Sequence, residues 1–300
     1  MIRAAGLTKN FGSVPALSDF HIHVPEGSVF ALLGPNGAGK TTALRIMLNI
    51  TRASGGHAEV LGTDSRRLGP KELARIGYVS ENRDLPDWMS VNAFLAYCRR
   101  FYPEWQDSEA AELVRLFALP LDRPLRSLSR GMRMKAALAG ALAYRPRLLV
   151  LDEPFSGLDV LVREQFLECI AERTPQCTVL IATHDLSDIE SFATHVAYLS
   201  DGRLVFEEET DSLAGRFREI EVITGTGPQA AGETSLQLPQ NWLNLKRAPG
   251  VIRFTDTHYD PRVCETELRQ RWAGIRDIAV HPLPLRSVFI ALASQRSQTR

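Results

Sequence analysis

The sequence predicts an α/β fold: a parallel sheet interrupted by a glycine-rich strand-to-helix turn, followed by a small α+β C-terminal domain. Three observations predict it. Residues 28–50, "SVFALLGPNGAGKTTALRIMLNI", read as a short apolar strand, a Gly-rich loop and an apolar-periodic helix. Residues 147–154, "RLLVLDEP", form a continuous apolar run ending in acids, the pattern of a central parallel strand buried on both faces. After about Asp211 the pattern breaks into short strands and two helical stretches with scattered Gly and Pro, which marks a second, smaller unit.

The remaining elements follow in chain order. "RIGYVSEN" (75–82) ends another strand, and from Leu85 to about Leu119 the pattern is helical. "SRGMRMKAALAGALAY" (129–144) continues helical, with Met132 and Met134 read as core and Arg130, Arg133 and Lys135 as surface. "VREQFLECIAER" (162–173) is an amphipathic helix and "CTVLIATHD" (177–185) a second buried strand. "VAYLSDGRLVFEE" (196–208) reads as a hairpin with Asp-Gly at its turn. The acidic run "FEEETD" (206–211) is expected to be a solvated connection. Beyond it, "EIEVITG", "VIRFTD" and "DIAVH" read as strands, and "CETELRQRW" and "LRSVFIALA" as helices. The polar ending "SQRSQTR" is expected to fray.

Composition narrows the class. A 44% hydrophobic and 23% charged share belongs to an ordinary globular protein with a sizeable core. Thirty-five basic residues balance thirty-five acidic ones, so no nucleic-acid partner is expected. The four cysteines, Cys98, Cys169, Cys177 and Cys264, form no C-x-x-C, which argues against a zinc site or a disulfide framework. They are expected to be small buried hydrophobes in a reducing compartment. The paired His21 and His23 share one strand face, but nothing else around them points to a metal. No apolar run approaches the ~18 residues needed to span a bilayer. The expectation is a cytoplasmic protein, brought to a membrane only through a partner.

"GPNGAGKT" (34–41) fits G-x-x-x-x-G-K-[ST]. Gly34, Gly37 and Gly39 let the backbone of this loop, with Pro35, Asn36 and Ala38 between them, curl into a nest of N–H groups for an anion. A helix starting at Lys40 aims its positive end at the same phosphates. Lys40 supplies a point charge to the β- and γ-phosphates, Thr41 a hydroxyl to Mg2+, and Thr42 reaches the α-phosphate. Roughly one chain of this length in a hundred matches the pattern by accident, and the flanking strand and helix lower that figure.

"LLVLDEP" (148–154) places Asp152 and Glu153 at the carboxyl end of a buried strand, where ligands bind in open α/β sheets. Asp152 is expected to hold Mg2+ through water, and Glu153 to polarise an attacking water. His184 follows the apolar run "VLIAT" near the same crevice, where a neutral ring can bond either the γ-phosphate or that water. At 128–138, "LSRGMRMKAAL", Ser129 reads as a helix N-cap, opening a helix end to an anion.

Together these ordered motifs resemble the ATP-binding subunits of ABC transporters, over about residues 2–211. "GPNGAGKTT" resembles the Walker A loop, "LSRGM" the signature usually written LSGGQ, "LLVLDEP" Walker B, "SGLD" (156–159) the D-loop, and "ATHD" (182–185) places His184 as the switch histidine. Phe11, in "LTKNFG", falls where the family stacks an aromatic on adenine. The resemblance implies a P-loop NTPase core of ABC type, with an antiparallel β subdomain and a helical subdomain at about 85–145. It divides the chain into an ATP-binding domain, 1–213, and an accessory domain, 214–300. It further implies a head-to-tail dimer, with itself or a related ATP-binding subunit. Each ATP with its Mg2+ then lies between the Walker motifs of one subunit and Ser129, Arg130, Gly131 and the D-loop Asp159 of the other. ATP binding closes that dimer, and hydrolysis reopens it and drives a separate integral membrane permease. The chain is then peripheral on the inner face of the membrane.

Two positions depart from the family pattern. Glu81 stands where the family has Gln. A carboxylate there still binds Mg2+ but adds negative charge near the phosphates. Arg130 replaces the middle Gly of the signature and Met132 its Gln. Both changes, and the ending "PLRSVFIALA" (284–293), resemble the branch that pairs with ABC-2-type permeases, often exporters. Arg130 either reaches the phosphate or faces solvent. The aromatics Trp88, Phe101, Tyr102 and Trp105 in 85–105 form either the core of a small helical subdomain or a groove for a cytoplasmic helix of the permease, and the two are compatible. A soluble non-transport ABC-type ATPase and a weakly hydrolysing regulatory module are the competing functions.

Overall fold

The computed structural model describes residues 1–81, 85–173, 176–185, 189–224, 239, 241–272, 274–289 and 291. The chain forms two compact units, Met1–Glu207 and Glu208–Arg300. The division falls earlier than the change of pattern expected at 213/214.

The first unit opens with β1 (Ile2–Phe11) and β2 (Val14–Val24), an antiparallel pair joined at Phe11 and Val14. β3 (Val29–Leu33) leads through the glycine-rich loop into α1 (Lys40–Met47). β4 (Gly55–Val60) and β5 (Thr63–Asp64) complete a four-stranded sheet of order β2-β1-β4-β5. The short α2 (Pro70–Leu73) precedes β6 (Ile76–Ser80). Three helices follow: α3 (Val91–Arg99), α4 (Asp107–Leu116) and α5 (Arg130–Leu142). Then come β7 (Leu148–Asp152), α6 (Val160–Ala171), β8 (Thr178–Thr183), β9 (His195–Ser200) and β10 (Arg203–Glu209). The second sheet has the order β10-β9-β3-β8-β7-β6, and β9, β3, β8, β7 and β6 run parallel. Every residue of β3, β7 and β8 is buried, as their unbroken apolar runs predicted. The β9–β10 turn takes positive φ at both Asp201 and Gly202, the turn that matches strand twist.

The helical stretch expected at 85–119 is two helices, since Pro103 lies in the break between α3 and α4. Val91, Phe94, Leu95, Ala110 and Leu113 are buried in this subdomain, and Tyr102 stacks on Tyr144 at 3.7 Å. Trp88, at 70% exposure, and Phe101 remain outside. Lys135 corrects an expectation. It is buried, its ammonium donating to Gln165 Oε1 (2.6 Å) and lying near the Phe117 ring, while its stem packs in the core. Met132, expected in the core, is only partly buried.

The acidic run 206–211 is not a solvated connection. Strand β10 extends to Glu209, and the Glu207 carboxylate accepts from His23 N (3.1 Å), with burial raising its pKa. Strand pairing accounts for the run that charge alone suggested was solvated.

In the second unit, α7 (Thr210–Arg216) and β11 (Arg218–Thr224) precede β12 (Trp242–Ala248), β13 (Val251–Asp256), α8 (Pro261–Arg271) and β14 (Ile275–Pro282). Residues 285–289 are helical. The sheet, of order β12-β13-β11-β14, is antiparallel throughout. Trp242, Phe254 and Trp272 pack with Cys264 and Leu268 of α8 to form its core. β12 has no counterpart in the sequence reading, because its polar and charged residues hide the alternation. Residues 225–238, most of the ending at 284–293 beyond Phe289, and "SQRSQTR" lie outside the described residues.

Candidate functional site

The parallel register brings the motifs to one edge. Leu33 pairs with Thr183, and Asp152 with both Ala182 and Ser80. The loop 34–39, Glu81, Glu153 and His184 therefore leave neighbouring strands at their carboxyl ends, the ligand edge of such sheets.

The loop is shaped by glycine for two different reasons. Gly39 takes φ +107°, and a Cβ there would stand 2.5 Å from Ala16 O. Gly34 is not curled. It is small because a Cβ would stand 2.3 Å from Leu199 O. Ala38 N donates to Pro35 O (3.1 Å), which closes the turn around the exposed Asn36 and Gly37. No side chain caps α1 at Gly39, so its positive end is available to an anion.

A chain of charged groups runs from this loop to His184. Lys40, 5% exposed, donates to Gly34 O (2.7 Å) and Pro35 O (3.2 Å), and its Nζ stands 3.0 Å from Glu153 Oε1. The other carboxylate oxygen of Glu153 lies 2.8 Å from His184 Nδ1. Glu153 adopts φ +50°, rare for a residue with a side chain, and its N–H donates to Ala182 O (2.8 Å). Thr41 Oγ1 donates to Asp152 Oδ1 (2.9 Å), and Ser80 Oγ to Oδ2 (3.3 Å). Burial raises the Asp152 pKa against the pull of these two hydroxyls. Thr42, next in α1, is partly buried.

Glu81 N donates to Asp152 O (3.0 Å), and the Glu81 carboxylate is ion-paired with Arg130 of the same chain. Arg130, its side chain 44% exposed, is the partner of this carboxylate. Ser129 caps α5, accepting from Met132 N (3.2 Å), and Asp159 caps α6, accepting from Val162 N (2.9 Å). Gly131 sits against Val162 and Leu158, where a Cβ would come within 3.3 Å of Val162 Cγ1. Among the described residues, no hydrogen bond or ion pair joins Ser129, Gly131 or Asp159 to the loop 34–39. Phe11 stands apart at the end of β1, 55% exposed, with Lys9 Nζ 4.8 Å from its ring centre.

Sequence reasoning missed Ser80 and Gly157. Ser80 was legible as the small hydroxyl residue that ends the strand "IGYVS". Gly157 needed the third dimension, since its role is to clear the path of Arg130.

The donor set fits a metal–nucleotide. A hydroxyl and two carboxylates supply the oxygen ligands a hard cation takes, and an open helix end with a buried lysine suits polyphosphate. Glu153 Oε1 is buried with the Lys40 ammonium 3.0 Å away, so a phosphate that draws Lys40 off would free this oxygen to accept from a water. Among the described residues, no cluster of three or more His, Cys, Asp or Glu is arranged to hold a metal by itself, so a cation here would draw ligands from a hydroxyl and the nucleotide as well.

The ABC transporter family matches residues 17–156. The sulfate/thiosulfate import ATP-binding protein CysA of Salmonella typhi is 33% identical over 246 residues, 75% of this chain and 67% of that protein. An uncharacterized ABC transporter ATP-binding protein of Synechocystis sp. is 33% identical over 73% of this chain and 63% of its own length. The ABC transporter ATP-binding protein YtrB of Bacillus subtilis is 29% identical over 75% of this chain and 78% of its length. The chain thus spans about two thirds of the length of several of these relatives. A solved ATP-binding subunit of an ABC transporter superposes with a TM-score of 0.66 at 24% identity, covering 72% of this chain and 92% of that one. A dimeric cassette in a post-hydrolysis state with ADP and Pi gives 0.63 at 23% identity, over 70% and 99%. With the ordered motifs gathered at one sheet edge, these likenesses show that the chain belongs to the family of ABC transporter ATP-binding proteins.

Proposed function

We propose that the chain binds and hydrolyses MgATP and thereby energises transport through a separate membrane permease. The observation that carries this reading is the linked series Lys40–Glu153–His184, at 3.0 and 2.8 Å, beside the phosphate loop. Lys40 and the N–H groups of the loop bind the polyphosphate, and Phe11 offers a face to the adenine. Thr41, Asp152 and Glu81 are the candidate Mg2+ ligands. Held there, Mg2+ would supply charge neutralisation for phosphoryl transfer. Glu153 takes the proton of the attacking water, and His184 orients the carboxylate through Oε2. In the dimer, Ser129, Gly131 and Asp159 face the nucleotide of the other subunit, which is either a second copy or a related chain.

The finer reading is pairing with an ABC-2-type permease and export, with the chain held at the inner membrane face. It rests on Glu81, Arg130 and Met132 at the motif positions and on the ending 284–293. No described helix is long and apolar enough to cross a membrane. A cleft of about 670 Å3 lined by Tyr78, Trp88, Phe94, Tyr97, Phe101 and Tyr102 supports docking of a cytoplasmic permease helix. Relatives named as import proteins favour the opposite direction, so direction needs its own experiment. The core reading is tested by steady-state MgATP hydrolysis of the purified chain, which is expected and whose absence overturns it. Co-purification with the permease and transport in oriented vesicles then test partner and direction.

A further inference from the structure

Glu81, Asp152 and Glu153 leave adjacent strand ends, so a polyphosphate entering this site meets three carboxylates. Such groups repel each other and the incoming anion unless each is compensated. Glu153 faces Lys40, and Asp152 is buried under the hydroxyls of Thr41 and Ser80. The compensation for Glu81 comes from Arg130, the first residue of α5 and 49 positions along the chain.

The path of that side chain is built. Gly157, at φ +65°, lies directly under the guanidinium. A Cβ there would stand 2.8 Å from Arg130 Nη1 and 3.1 Å from Cζ. On the next residue, the bare face of Gly131 seats against Val162 and Leu158, which fixes the start of α5 against the start of α6. Packing on both sides therefore aims Arg130 at Glu81. The pair lines a cleft of about 570 Å3 with Ser80, Trp88 and Arg133.

We propose that Arg130 is a positioning residue for Glu81. Threaded over Gly157, it neutralises the third carboxylate so that MgATP can enter, and it ties the N-terminus of α5 to the metal side of its own chain's site. This inference rests on the ATP-binding reading above. Because Arg130 acts through Glu81, the two residues form a unit: removing the arginine harms the site only while the glutamate is charged.

The test is a double-mutant cycle in the full chain: wild type, Arg130→Ala, Glu81→Gln, and both together. Affinity for a fluorescent ATP analogue is measured with EDTA and with Mg2+, and urea unfolding is followed in parallel. Arg130→Ala is expected to weaken analogue binding roughly 3–10-fold, and Glu81→Gln in the same chain to restore it to within about twofold. Arg130→Lys, which keeps the charge, is expected to stay near wild type. A structural role alone would lower urea stability and leave nucleotide affinity unmoved, and that result overturns the proposal. So does an additive cycle in a wild-type chain that binds the analogue normally. A wild-type chain that binds no analogue overturns the ATP-binding reading first, and the proposal with it.

Discussion

Glu153→Gln separates two jobs that one carboxylate performs. Glu153 holds Lys40 across 3.0 Å in a nearly buried setting. At an effective dielectric of about 20, the gross attraction is about 5–6 kcal/mol, most of it offset by the desolvation of both groups. The phosphates must draw Lys40 away from that partner. A neutral Gln keeps the shape and removes the competition, so ATP affinity is expected to rise by about 1–2 kcal/mol, roughly 5–30-fold. The same change removes the proton acceptor, so hydrolysis is expected to fall about 10²–10⁴-fold, about 3–5 kcal/mol of activation free energy. The assays are fluorescent-nucleotide titration and phosphate release on one preparation, with size-exclusion chromatography in ATP to detect the trapped dimer. Hydrolysis at the wild-type rate would refute the assignment of the base. Unchanged or weaker ATP binding would refute the competition for Lys40.

Asp152→Asn is expected to stabilise the nucleotide-free chain by about 1 kcal/mol at neutral pH while abolishing Mg2+-dependent binding. The native Asp152 has a raised pKa, so between the ordinary value of about 3.9 and that raised value the folded state holds a proton the unfolded chain has released. Its contribution to stability therefore falls as pH rises through that window, and urea titrations should show the Asn variant without this slope. Phe11→Ala should weaken binding of the fluorescent ATP analogue by about 1–3 kcal/mol, with the melting temperature unchanged because the ring is mostly exposed. Trp88→Ala should lower permease co-purification while stability stays within about 0.5 kcal/mol and isolated nucleotide binding persists. Unchanged co-purification would remove the docking reading. Glu109→Ala should cost about 1–2 kcal/mol in thermal unfolding, since Arg173 loses its nearest carboxylate and keeps only the longer pairs to Glu112 (3.4 Å) and Glu172 (3.3 Å).

What the sequence made legible were features written in consecutive residues. The runs "VFALL", "LLVLD" and "TVLIAT" are buried strands because nothing polar interrupts them, and "GPNGAGKT" is a loop because glycine and lysine sit at fixed offsets. Ser129 was visible as a helix cap for the same reason, lying just ahead of a helix. Lys135 and the run 206–211 misled because charge suggests exposure, whereas a long aliphatic stem or a paired strand can bury such residues. The contact of Arg130 with Glu81 was not legible at all. It depends on α5 returning over the end of β6 and on the absence of a side chain at Gly157, and no local pattern encodes either.

The groups of the site pair with one another. Lys40 faces Glu153 and two loop carbonyls, Thr41 bonds Asp152, and Arg130 bonds Glu81. Each pairing keeps a charged or buried group from being left uncompensated, which would cost several kcal/mol. The Lys40 and Thr41 pairings must be exchanged for phosphate or metal contacts, so net affinity is a difference between two satisfied networks rather than the sum of new bonds. The two ion pairs respond in opposite ways: removing the charge of Glu153 frees Lys40 for the nucleotide, while removing Arg130 leaves the Glu81 carboxylate behind and disfavours it. That asymmetry predicts opposite signs for Glu153→Gln and Arg130→Ala in the same binding assay, although the two residues lie on either side of Asp152.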